Sequence, residues 1–124
     1  FSIGMIPMCG PSEVEYAGKV ADWIAEKLQP LLPEKVEANL DKLVLSGHSR
    51  GGKTVFAVAL GHAKTNLKFS TLVGIDPVAG TSKCCRTLPH ILTDKPRSFD
   101  LKMPVEVIGT GLGPEKLNIV VLHR

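Results

Sequence analysis

The residues best suited to do chemistry in this chain lie together at Gly47-His48-Ser49-Arg50-Gly51, a G-x-S-x-G pattern. The pattern alone is short and arises by chance in many sequences. Its context is more specific: it follows an apolar run that suits a buried strand and precedes a helical pattern. So sharp a strand-to-helix turn strains the serine backbone and holds the hydroxyl out at the C-terminal edge of a sheet. Gly47 and Gly51 are expected to remove side chains that would collide as strand and helix close on each other. The chemistry implied is attack by the Ser49 hydroxyl on a carbonyl carbon. The helix N-terminus behind the serine favours the negative charge that develops there. The backbone N–H of Arg50, the next residue, is the expected oxyanion donor. The competing reading is a glycine-rich turn with an incidental serine.

A serine hydroxyl is a poor nucleophile until a histidine takes its proton, and an acid must orient that histidine. Asp76 is the natural acid, because it directly follows the next apolar run and so falls at the same sheet edge as Ser49. A strand-end aspartate bonded to a turn N–H is the plainer reading of the same residue. Asp94 and Asp100 lie on the following loop and are weaker candidates. The histidine is harder to assign. His48 sits inside the turn and should point away from Ser49, and His62 ends the following helix, where it suits the helix dipole. His90 is on the loop after Asp76, and His123 follows the last apolar run. None of the four fits well, and the catalytic histidine is expected not to be present in this chain.

The elements that must position these groups follow from periodicity. Ser12 and Glu15 have capping-box spacing, which reads as a helix start after the break at Gly10-Pro11. Val14, Ala17, Val20, Ile24, Leu28 and Leu31 then recur at three- and four-residue steps and predict one apolar helix face. A polar connection from about Glu34 to Asp41 leads to a strand over Lys42 to Ser46. Gly47 to Gly52 reads as a tight turn, and Thr54 to Leu60 as a largely buried helix ended by Gly61. Ser70 to Ile75 and Pro104 to Gly109 are two further strand candidates, separated by a long loop. Strands alternating with helices predict a parallel sheet with helices on its faces. Three strands make a thin sheet with open edges, so further strands are expected from chain outside this sequence.

Composition sets the remaining bounds. The chain has 124 residues with a net charge of +3, 44% hydrophobic and 22% charged residues, which is the balance of one globular domain. The basic residues are scattered, with no run that would track phosphates, so no nucleic-acid partner is expected. No apolar run approaches the ~18 residues that span a bilayer. Cys9, Cys84 and Cys85 are odd in number and wrongly spaced for a zinc site, and read as reduced thiols. No metal and no cofactor is implied.

The turn carries more than the general pattern. Ser46-Gly47-His48-Ser49-Arg50-Gly51-Gly52-Lys53-Thr54 resembles the lipase motif of plant chlorophyllases. Gly74-Ile75-Asp76-Pro77-Val78-Ala79-Gly80-Thr81-Ser82-Lys83 resembles the acid-bearing block of that family, and residues 104–113 are similar to a third block. The resemblance covers roughly residues 9 to 114. It implies a partial α/β-hydrolase fold, a parallel sheet flanked by helices, with N- and C-terminal parts missing. Residues 1–114 would be the central part of one domain, and 115–124 an atypical tail, truncated or frame-shifted. It also implies a serine ester hydrolase that cleaves the phytyl ester of chlorophyll to chlorophyllide and phytol. Ser49 would then be the nucleophile and Asp76 the triad acid. The resemblance suggests a chloroplast location, with peripheral contact to pigment-bearing membranes. The alternatives are another carboxylesterase or lipase of the same fold, or a non-catalytic truncated product.

Overall fold

A computed structural model describes residues 10–80, 87–92 and 99–111. Cys9, Cys84, Cys85, Asp94, His123 and the whole 115–124 tail lie outside the described residues.

Helix α1 spans Gly10–Lys27 and already includes Gly10 and Pro11. A proline is tolerated in the first helical turn, where its missing N–H would have no intrahelical partner. Ser12 and Glu15 are therefore inside the helix and form no capping box. Glu15 instead pairs forward with Lys19 at 2.7 Å on the solvent side, and that pairing lowers the Glu15 pKa and raises that of Lys19. The buried seam is Val14, Gly18 and Ala21, with Ala17 packed against the core. Val20 and Leu31, expected on the apolar face, are 56% and 67% exposed. The reason is rotational. At ~100° per residue, Val20 stands roughly 120° around the helix from Val14. Gly18 also lets α1 approach closely, because a Cβ there would lie 2.8 Å from the Lys64 carbonyl oxygen. Asp22 fixes the same contact by accepting the Thr65 hydroxyl at 2.8 Å and the Asn66 N–H at 2.7 Å.

A short 3-10 turn, Gln29–Leu31, ends this segment. The Gln29 side-chain amide then bonds Val36 and Ala38, and so braces the polar connection that follows.

Strands β1 (Leu43–His48), β2 (Phe69–Ile75) and β3 (Val105–Ile108) form a parallel sheet in the order β1-β2-β3. The predicted parallel sheet is thus present, with Gly47 level with Gly74 and Gly74 level with Val107. Helix α2 (Arg50–Ala59) packs on β1 and β2, and α1 packs on α2 rather than on the sheet. Leu45, Leu72, Val105 and Val107 share the face under α2 and join a core built with Val14, Phe56, Val58 and Ile91. Phe99 adds an edge of this core, its ring centroid 6.0 Å from that of Phe56. The other face differs from a fully buried parallel strand. Val44 and Ile108 are exposed there among the described residues, so β1 alternates half-buried and exposed.

Two boundaries moved toward each other. Strand β1 runs on through Gly47 and His48, and α2 begins at Arg50, so the turn is Ser49 itself rather than Gly47 to Gly52. The far end of α2 matches expectation. Gly61 takes φ 84°. Its N–H donates to the Val58 carbonyl at 3.0 Å and that of His62 to the Ala57 carbonyl at 3.0 Å. This is the double closure of a Schellman motif.

The two valines that periodicity put on one face should separate in a urea unfolding series on the full-length protein. Val14→Ala should cost about 2 kcal/mol, and Val20→Ala less than about 0.5 kcal/mol.

Candidate active site

Ser49 occupies φ 54°, ψ −122°, a conformation that L-residues rarely adopt. Its main chain is tied on both sides. The N–H donates to the Ile75 carbonyl at 2.9 Å, and the carbonyl accepts from Val78 N–H at 3.0 Å and Lys53 N–H at 3.3 Å. These bonds link the end of β1, the first turn of α2 and the segment leaving β2. The Ser49 side chain makes no capping bond to α2. The first N–H groups of a helix have no intrahelical acceptor, so Arg50 N–H stands at the turn as an available donor beside Ser49.

The glycines divide differently from the expectation. A Cβ on Gly47 would run into the Gly51 carbonyl, so that expectation holds. Gly51 itself has nothing within 4 Å of a built Cβ and is not crowded. The second crowded position is Gly52, where a Cβ would lie 2.7 Å from Pro77 Cβ. The collision that matters is between α2 and the segment after β2, which sequence spacing around the serine does not reveal.

Asp76 follows β2 with φ 40°. Ser49 bonds Ile75 and Val78 on either side of it, so the two residues meet at one sheet edge. The Asp76 N–H donates to the Ile108 carbonyl at 2.9 Å. Its carboxylate accepts the Thr110 N–H on Oδ1 at 2.9 Å and the Thr110 hydroxyl on Oδ2 at 2.5 Å. Asp100 is exposed and pairs with Lys102 at 2.8 Å. His48 is the last residue of β1, level with Ile75 and exposed. His62 lies beyond the far end of α2, about 15 Å of helix away from Ser49. His90 is on the 87–92 segment, exposed.

Three groups escaped sequence reasoning. Lys53, in the first turn of α2, is 1% exposed and donates to the Leu88 carbonyl at 2.5 Å. Burial pushes its ammonium below the usual lysine range, and the Glu13 carboxylate offsets this only in part. Glu13 on α1 also pairs with the Arg50 guanidinium at 2.5 Å. Thr110 is the third. Lysines are seldom fully buried, and Thr110 meets Asp76 across 34 positions. No local signal pointed to any of these contacts. Among the described residues, no group of three or more His, Cys, Asp or Glu is placed to hold a metal ion. No described helix is long and apolar enough to cross a membrane.

A parallel strand, a strained serine turn and a helix packed back on the sheet are the elbow unit of α/β-hydrolases. The chlorophyllase family model matches residues 3–123, and the chain belongs to that family. Chlorophyllase-1 of Arabidopsis thaliana is 56% identical over 119 residues, covering 94% of this chain and 37% of that protein. Chlorophyllase type 0 of Chenopodium album is 50% identical over 116 residues, 90% of this chain and 33% of that one. Chlorophyllase-1, chloroplastic, of Citrus unshiu is 46% identical over 107 residues, 86% of this chain and 30% of that one. The chain thus spans about a third of the length of the curated relatives it matches.

Two expectations follow. Gly51→Ala replaces an uncrowded helical glycine and should raise stability by about 0.5–1 kcal/mol, whereas Gly52→Ala should lower it. Thermal unfolding of the two variants checks the contrast. Lys53 gives a pH signature. The unfolded lysine titrates near 10.5 and the folded one lower, so between these values the unfolded chain holds the extra proton. Stability should therefore rise with pH across that window. The rise should vanish in Lys53→Met, as read by urea unfolding at a series of alkaline pH values.

Proposed function

We propose that the full-length protein is a serine carboxylic-ester hydrolase that cleaves the phytyl ester of chlorophyll, with Ser49 as nucleophile. The observation that carries this reading is the strained Ser49 backbone at a strand-to-helix turn, beside an aspartate whose carboxylate is held by two donors. Chlorophyll as substrate rests on the family alone, whose curated members are named chlorophyllases.

The chemistry follows from the residues. Ser49 Oγ attacks the ester carbonyl carbon as a histidine of the full-length protein takes the hydroxyl proton. Asp76 orients that histidine and stabilises its charged form. The Arg50 N–H donates to the oxygen that becomes negative in the tetrahedral intermediate. The ester C–O bond then breaks, and phytol leaves with the proton from the histidine. Water, deprotonated by the same histidine, attacks the acyl-enzyme, releasing chlorophyllide and restoring Ser49. The magnesium of chlorophyll belongs to the substrate and takes no part in these steps. A chloroplast location draws support from the Citrus relatives, which are labelled chloroplastic. Peripheral contact with pigment-bearing membranes is the corresponding way to meet so apolar an ester.

Ser49→Ala and Asp76→Asn in the full-length protein should each lower kcat by about 10⁴-fold or more. Partition of chlorophyllide from phytol and unreacted chlorophyll between aqueous and organic phases measures the turnover. Hydrolysis of p-nitrophenyl butyrate with chlorophyll untouched would reject the pigment and leave a general carboxylesterase. Full turnover in Ser49→Ala would reject the catalytic reading altogether.

A further inference from the structure

Among the described residues, Asp76 is held by a short stretch of the chain that is remote in sequence. Its N–H donates to the Ile108 carbonyl at the end of β3. Both oxygens of its carboxylate then accept from a single residue, Thr110, through the backbone N–H at 2.9 Å and the hydroxyl at 2.5 Å. One donor would leave the carboxylate free to turn about its Cβ–Cγ bond. Two donors from one residue, one on each oxygen, fix its plane. Thr110 is exposed and lies beyond the end of β3, so its side chain is not part of the buried core.

We propose that Thr110 is a positioning residue for the acid of the triad, setting the plane in which the Asp76 carboxylate meets the catalytic histidine. The inference rests on the triad reading above. It assigns to the loop after β3 a role in the reaction, although the acid itself follows β2.

The role has an electrostatic side that a purely structural contact lacks. The Thr110 hydroxyl draws charge density from Oδ2. Without it, the carboxylate attracts a neighbouring imidazolium more strongly and the histidine holds its proton to higher pH. Because the histidine must be neutral to act as base, the acid limb of the kcat/KM profile moves to higher pH.

The test compares Thr110→Val, Thr110→Ala, Thr110→Ser and Asp76→Asn in the full-length protein, with p-nitrophenyl butyrate as substrate so that pigment preference does not enter. Thr110→Val keeps the shape and loses the hydroxyl, Thr110→Ala shortens an exposed side chain should the valine not fold, and Thr110→Ser restores the donor. The inference expects kcat to fall about tenfold in the valine or alanine variant with KM and the thermal midpoint unchanged. It also expects the acid limb to move upward and the serine variant to recover most of the loss. If Asp76→Asn abolishes turnover while Thr110→Ala keeps wild-type kcat and pH profile, the Thr110 role is overturned and the triad stands. If Asp76→Asn is fully active, the triad reading falls and this inference falls with it.

Discussion

The main chain of Ser49 is the point at which this structure is over-determined. A non-glycine residue at φ 54°, ψ −122° costs on the order of 1–3 kcal/mol unless the surroundings hold it there. Here the Ile75 carbonyl, the Val78 N–H and the Lys53 N–H all converge on the main chain of that one residue. Each bond belongs to a different neighbour: β2, the segment leaving β2, and the first turn of α2. The register of β1 against β2, the start of α2 and the course of the chain past Pro77 therefore depend on one another through Ser49. Gly47 and Gly52 are part of the same constraint, since any Cβ at either position would occupy backbone or proline that must be there.

Support for the site comes from two directions. On one side, α1 lies on α2, and its Glu13 reaches Arg50 and lies in the field of Lys53. Lys53 passes through the buried layer to the Leu88 carbonyl, so one charged side chain connects the helix behind the serine to the 87–92 segment. On the other side, β3 holds Asp76 by its N–H and the loop beyond holds the carboxylate. Ser49 and Asp76 thus also have partners of their own. The bonds from Ser49 to Ile75 and Val78 couple the two positions and keep them at one edge.

The sheet is dressed asymmetrically among the described residues. Helix α2 covers the face of Leu45, Leu72 and Val107, and α1 adds a second layer on the same helix. Val44 and Ile108 stand on the opposite face and are exposed. The chain matches only about a third of the length of its curated relatives, and its belonging to the chlorophyllase family rests on the match over residues 3–123.

Much of the fold was legible in the residues because its signals are local. An apolar run, a G-x-S-x-G turn and a helical pattern in immediate succession suffice to predict the elbow, and Gly61 to predict where α2 stops. Asp76 was legible because the end of a parallel strand lies at the same edge as the end of its neighbour. What the tertiary structure alone decided involves atoms brought together from distant positions. The rotation of α1, which buries Gly18 and exposes Val20, depends on the approach of Lys64. The need for glycine at 52 rather than 51 depends on Pro77. The burial of Lys53 depends on the Leu88 carbonyl, and the grip on Asp76 depends on Thr110. Side-chain type and spacing along a chain carry the first kind of information, since periodicity and turn chemistry act over a few residues. The second kind is set by which surfaces fit when the elements pack, and it exists only once they have.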